Sequence, residues 1–247
     1  GIVGANGSIK GIAPDIKIVM LKAGNSSGVF GATDIEASIN WCVNNATKFN
    51  ISVISMSLGG GLETDSCDSS DPEIATAIDN AFINNISVVV STGNEGNSTA
   101  INSPACIFNA TPVSSKTKAE EISSFSNRNN LTKLFAIGSD INSTCIAGGY
   151  CLKDGTSMAT PMVAGAFAIF NQYLNLTNQT KTPLQIEDIF YDNGLKFSEN
   201  SNNFSRIDLY SSILSIDLTS PEVSLISPIN NKINSSSNQT FICNSTD

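Results

Sequence analysis

The chain has 247 residues, 40% of them hydrophobic and 14% charged, enough apolar material for a sizeable core and against a disordered chain. Its net charge of −9 argues against a surface for phosphate backbones, so no nucleic-acid partner is expected. No apolar run reaches the roughly eighteen residues of a membrane span, so none is expected in this chain.

The N-terminal stretch Gly1-Ile2-Val3-Gly4-Ala5 is small and apolar. Ile16 to Lys22 is a short Ile- and Val-rich run, which predicts a buried strand. Thr33 to Thr47 carries Ile35, Ile39, Trp41, Cys42 and Val43 on a helical stripe, with Thr33 as N-cap. Ile51 to Leu58 is strand-like and runs into Gly59-Gly60-Gly61. Asp71-Pro72 opens a helix that turns Ile74, Ala75, Ile78, Ala81 and Phe82 inward. Ile86 to Val90 is a further buried strand. Such continuous apolar strands separated by helices predict an α/β fold, a doubly wound and mostly parallel sheet with helices on both faces. Ligands of such sheets bind beyond the carboxyl ends of the strands, which singles out Ser57-Leu58-Gly59-Gly60 and Thr92-Gly93-Asn94-Glu95-Gly96.

Short strands are expected near Pro112 to Ser115, Ile122 to Ser126 and Leu134 to Ile137. A long helix follows from Thr156 to Leu174, and another from Pro183 to Asn193, stopped at Gly194. At Leu218-Thr219-Ser220-Pro221 the style changes to short β runs, Val223 to Ile226 and Thr240 to Cys243. The expected division is residues 1–217 and 218–247. Two strands are too few to fold alone.

Six cysteines are present, without a C-x-x-C pair and without any histidine, so the usual zinc sets are missing and neither metal nor cofactor is expected. The even count suits disulfides and an oxidising compartment, with fifteen complete pairings open. About fifteen Asn-x-Ser/Thr triplets occur, among them Asn25, Asn45, Asn97, Asn142, Asn178 and Asn238. Asn and Ser enrichment is one source of such triplets and glycosylation is the other. Cysteines and triplets together favour an extracellular or cell-surface address.

The segment Gly155-Thr156-Ser157-Met158-Ala159-Thr160-Pro161-Met162-Val163-Ala164-Gly165 places a serine in the first turn of a helix, where unpaired N–H groups and the helix dipole favour negative charge. A serine attacking a carbonyl creates such a charge beside itself. The alternative is that Thr156 or Ser157 is a plain N-cap.

This segment resembles the active-site serine signature of the subtilase family, Gly-Thr-Ser-x-Ala-x-Pro-x-Val-Ala-Gly, at every fixed position. Other blocks follow in the family's order. Ile54-Ser55-Met56-Ser57-Leu58-Gly59 is similar to the strand and loop that line the first specificity pocket. Ser91 to Asn97 is similar to the block with the oxyanion-hole asparagine, which falls on Asn94. Ser123 to Asn127 is similar to the segment after the substrate loops. Ile2 to Ala5, with Gly11-Ile12-Ala13-Pro14, is similar to the helix and turn after the catalytic histidine.

The resemblance implies a serine endopeptidase acting on polypeptide substrates. Ser157 would be the nucleophile, and Asn94 with the Ser157 N–H the oxyanion hole. Ser57, Leu58, Gly59, Gly60, Gly93, Gly155 and Thr156 would frame the substrate, which would add as a strand along Ser57 to Gly59 and along Ser27-Gly28-Val29. Taken singly, Asn94 is also an ordinary turn residue and the Gly59 run a plain loop. The resemblance further implies a cis peptide at Ser103-Pro104, a Cys67–Cys106 disulfide, a Cys145–Cys151 hairpin staple, and a buried free Cys42. Cys243 would pair beyond the chain.

The sequence departs from the family in lacking the histidine, expected three residues before Gly1, and the aspartate further upstream. The chain then corresponds to roughly the last two-thirds of a catalytic domain, and by itself should not turn over peptide bonds efficiently. Met162 replaces a common but non-catalytic histidine. The link from Ala5 to Gly11 is too short for the family's calcium loop, and Asp65, Asp68 and Asp71 read as a solvated acidic surface. The tail resembles the start of an immunoglobulin-like β domain, which would hold the protein at a cell surface; a β-rich extension is the other reading. A non-catalytic, subtilase-shaped binding protein is the alternative function.

Overall fold

The computed structural model describes residues 1–145 and 148–217, and the backbone of two strands at 222–227 and 242–246. The chain divides into two units, Gly1–Ile213 and Leu214–Asp247.

In the first unit, helix α1 (Ala32–Asn44) and the short α2 (Ala46–Phe49) precede strand β1 (Val53–Met56) and strand β2 (Gly60–Glu63). Helix α3 (Pro72–Ile83), strand β3 (Ser87–Ser91), strand β4 (Ile101–Ser103), strand β5 (Thr111–Lys116) and strand β6 (Leu134–Ile137) follow. The hairpin β7 (Ile141–Thr144) and β8 (Tyr150–Lys153) leads to the long α4 (Thr156–Leu176). Helix α5 (Pro183–Asn193) and strands β9 (Leu195–Glu199) and β10 (Asn202–Arg206) follow, and α6 (Leu209–Leu214) runs to the boundary of the unit. The second unit contains β11 (Glu222–Ser227) paired antiparallel with β12 (Ile242–Thr246). The reading of this tail as immunoglobulin-like, and the pairing of Cys243, concern residues that lie largely outside the described ones.

The main sheet has the order β1-β3-β5-β6-β10-β9. It is parallel throughout except for the last pair, β10 and β9. Helices α1 and α3 pack on one face, with Ile35, Ile39, Ile74, Ile78 and Ala81 against Met56, Val88 and Val90. Helix α4 crosses the other face against β1, β3, β5 and β6. There Phe167 and Phe170 meet Phe190 of α5 edge to face, at 4.9 and 5.1 Å. This is the doubly wound arrangement that the sequence predicts, and strand β3 is buried at every residue because both its faces are covered.

Helix α5 begins with a capping box, Thr182 and Gln185 bonding each other's backbone N–H, and with Pro183 in its first turn. Helix α1 starts at Ala32 on Gly31, so Thr33 is inside the helix and caps nothing. Trp41 of the expected buried stripe turns outward instead and stacks on Phe49 at 5.6 Å.

Two expected strands do not form. Ile16 to Lys22 joins no ladder, and Ile18, Val19 and Met20 are exposed, Met20 at 84%. A strand exists only against a partner, and among the described residues nothing pairs with this run or with the outer edge of β1. Ile122 to Ser126 makes one isolated bridge, Lys116 with Ile122, because its serines bond inward instead. Ser126 Oγ accepts from the Ser115 N–H at 2.8 Å, and the Ser123 and Ser115 hydroxyls lie 2.8 Å apart. The antiparallel pair β2–β4 was not expected from the sequence, since Gly60 and Gly61 mask it as a loop.

Cys67 is joined to Cys106 and Cys145 to Cys151, while Cys42 is free and buried. The first link closes 39 residues, worth about 4 kcal/mol in the chain-entropy picture. The Ser103–Pro104 peptide is cis.

Glu187 of α5 is buried under the sheet, accepting from Thr111 Oγ1 at 2.8 Å and lying 3.2 Å from Lys133 Nζ. Burial pushes its carboxyl above the ordinary value, against the pull of Lys133 and Thr111. The native protein therefore keeps this proton to higher pH than the unfolded chain does. Between the two pKa values the folded state binds more protons, so stability falls as pH rises through that window. Glu187→Gln is neutral at every pH and should flatten this slope in urea midpoints measured across the acid range. Parallel curves for the two proteins would count against it.

Candidate active site

The site forms where β1 and β3 leave the sheet, beside the first turn of α4. Gly155 is the N-cap of α4 and has no side chain to cap it. Neither Thr156 nor Ser157 is therefore the N-cap, which removes the plain capping reading for both. The first-turn N–H of Thr156 is instead satisfied across the chain, donating to Asn94 Oδ1 at 2.8 Å. Thr156 Oγ1 also donates to Asn94 Oδ1, at 3.0 Å, and accepts from the Gly93 N–H at 3.2 Å. With Oδ1 doubly occupied, Nδ2 is the end of exposed Asn94 left to face the cleft.

Ser157 follows by one residue, half-buried, and Ser57 Oγ donates to its carbonyl at 2.9 Å. Its N–H lies in the first helical turn, where no helical carbonyl can accept it. The arrangement thus brings together Ser57, Gly93, Asn94, Gly155, Thr156 and Ser157 by direct bonds or chain adjacency. Leu58 is half-buried against the core, its carbonyl accepting from Ser91 Oγ at 3.3 Å. Gly59 lies against Ser103 and Asn102, and Gly60 pairs with Ser103 in the β2–β4 ladder.

Gly93 has φ +105, and a Cβ there would overlap the side-chain amides of Asn102 and Asn127. Those two amides are the part of the site that sequence reasoning missed. Buried Asn127 accepts from the N–H groups of Glu95 at 3.1 Å and Asn97 at 2.9 Å, and donates to the Thr92 carbonyl at 3.1 Å. Asn127 and Asn102 both donate to the Glu95 carboxylate. One side chain thus fixes the loop that carries Asn94. Its only sequence signal is its place at the end of Ser123 to Asn127. By contrast, Ser27-Gly28-Val29 is not an extended edge. It curls into a turn, with Asn25 Oδ1 accepting from Ser27 N–H at 2.9 Å and Val29 N–H at 3.0 Å, so the expected second substrate strand is not presented there.

Comparison with known proteins places this architecture. The model of the subtilase family matches residues 1–204. The chain belongs to the subtilase family. Among curated subtilase relatives, it is 35% identical over 121 residues to a cuticle-degrading serine protease of Arthrobotrys oligospora, covering 49% of this chain and 27% of that protein. It is 34% identical over 132 residues to the major intracellular serine protease of Bacillus subtilis, covering 51% of this chain and 37% of that one. The chain thus spans only about a quarter to over a third of these relatives. Among solved structures, a cold adapted subtilisin-like serine proteinase matches with TM-score 0.67 and 31% identity, over 83% of this chain and 71% of that one. The patellamide maturation protease PatA matches with TM-score 0.75 over 87% of this chain and 80% of that one, at 21% identity, a likeness of fold. Among the described residues of this subtilase no helix is long and apolar enough to cross a membrane.

Proposed function

We propose that this chain carries the nucleophile and oxyanion hole of a serine endopeptidase. The observation that carries the reading is the bond from Thr156 N–H to Asn94 Oδ1, which turns the Asn94 amide toward the space beside Ser157. Ser157 Oγ attacks the substrate carbonyl carbon as its proton passes to a base. Asn94 Nδ2 and the Ser157 N–H hold the negative oxygen of the tetrahedral intermediate. The peptide C–N bond then breaks, the amine leaves with that proton, and water releases the acyl group from Ser157. Ser57 to Gly60 and Gly93 line the pocket for the residue before the scissile bond. The chain contains no histidine, so an imidazole base must come from outside these 247 residues.

Its working place is outside the cell or at its surface. Two disulfides support this, as do relatives named as extracellular proteases from Bacillus subtilis and a Thermus strain. The β11–β12 pair is read as the opening of a surface-attaching β domain.

The test is to treat the full gene product with a fluorophosphonate probe and map the adduct. Labelling of Ser157, together with hydrolysis of an unstructured protein such as casein, is the expected result. A product that neither labels nor cleaves would instead be a subtilase-shaped binding protein.

A further inference from the structure

Several of the Asn-x-Ser/Thr triplets lie at the end of the sheet away from the site, although Asn97 lies in the loop that carries Asn94. Strands β1, β3, β5 and β6 run parallel, as does β10 to β6. All five therefore enter the sheet at one end, while Ser57 and Asn94 stand at the other. A triplet marks each entry: Asn50 before β1, Asn85 before β3, Asn109 before β5, Asn130 before β6, and Asn203 at the start of β10. Two more, Asn175 and Asn178, close α4, whose 21 residues carry them about 30 Å from Ser157.

Turn chemistry explains an asparagine at a strand entry, and Asn50 and Asn85 do adopt positive φ. It does not explain the hydroxyl two residues later. Ser87 and Ser205, the third residues of the Asn85 and Asn203 triplets, are buried inside strands, and neither hydroxyl has a hydrogen-bond partner among the described residues. A buried polar group without a partner works against folding, and alanine would occupy the same space. These serines are thus costly to the fold, whereas recognition of the triplet by a glycan transferase requires a hydroxyl at that position. The same end also exposes a large apolar side chain beside an acceptor triplet, Ile83 at 75%, two residues before Asn85. Bare, it would add to an aggregation liability; the first sugars of a glycan on Asn85 would cover it.

We propose that the end of the sheet opposite the active site is an N-glycosylated face, with exposed Asn50, Asn85, Asn130 and Asn203 as acceptors. The donor is an oligosaccharide carried on a polyprenyl diphosphate. The asparagine Nδ2 forms a bond to the anomeric carbon of the first sugar, and the bond from that carbon to the diphosphate oxygen breaks. The polyprenyl diphosphate leaves with the electron pair, and the amide gives up one proton to the transferase. Transfer takes place on the exported chain before folding, while the hydroxyls of Ser87 and Ser205 are still accessible. Asn109 is half-buried, its Nδ2 donating to Asp79 at 2.7 Å, and is left bare. The proposal rests on location outside the cell and is independent of the role of Ser157.

Glycopeptide mass spectrometry on the full protein from the organism that encodes it tests this. Sugar masses are expected at the four acceptors in most copies, with Asn109 unmodified. Ser87→Ala and Ser205→Ala should each remove only their own glycan. After enzymatic deglycosylation, their urea midpoints should equal or exceed that of the parent. Bare Asn85 and Asn203 peptides in protein recovered from the medium or the cell surface overturn the proposal. So does a lowered midpoint of both alanine variants, which would give the hydroxyls a role in folding. Bare peptides in protein found only inside the cell overturn the location and this proposal together, leaving the peptidase reading to the fluorophosphonate result.

Discussion

Ser157→Ala in the full gene product is expected to lower kcat for peptide hydrolysis by about 10⁶-fold, a magnitude carried over from subtilisin, which belongs to the same family. The reason lies in the site. Ser157 Oγ makes no hydrogen bond to any described residue, so it is held for no structural purpose and its removal should leave the fold unchanged. The helix start is secured by Asn94, through Thr156. Urea midpoints of parent and variant should therefore agree, while acylation is lost. Residual cleavage would come from the oxyanion hole and substrate binding alone. A variant that keeps within tenfold of parental kcat would refute Ser157 as nucleophile.

The second large effect is expected at Asn94. Asn94→Leu keeps the volume but removes the amide, and with it the acceptor of the Thr156 N–H, so kcat should fall at least about 10²- to 10³-fold with KM nearly unchanged and the urea midpoint should drop. The split would follow from timing, because a bond from Asn94 Nδ2 in the proposed oxyanion hole would strengthen only as the carbonyl oxygen becomes negative. A rise in KM at constant kcat would instead make Asn94 a ground-state contact. Thr156→Val removes the hydroxyl that bonds Asn94 Oδ1 but keeps the Thr156 N–H bond to it. The helix end therefore still positions Asn94, and a smaller loss in the same direction is expected.

The two kinds of residue in this site differ in how readable they were. Ser157 sits in a contiguous eleven-residue segment, Gly155 to Gly165, whose helix is set by its own apolar periodicity. Asn94 was legible only through its block. Asn127 was not legible as a brace, because its partners Glu95 and Asn97 are 32 and 30 residues away and nothing in local pattern links them. The same distinction explains the misplaced strand at Ile16 to Lys22. Its composition suits a strand, but composition cannot supply the neighbour that a ladder requires.

By itself, then, the sequence determined the features governed by neighbours along the chain. These are helices α1, α3, α4 and α5, strands β1, β3, β5 and β6, the parallel α/β class and the serine at the head of α4, all products of apolar periodicity and turn signals within a few residues. Only the tertiary structure decided which way the Asn94 amide faces, that Asn127 and Asn102 hold Glu95, and that β2 pairs with β4. It alone showed that the hydroxyls of Ser87 and Ser205 are buried without partners among the described residues. A hydrogen bond is defined by where two distant groups meet, and that is fixed only when the sheet and its helices close around a common core.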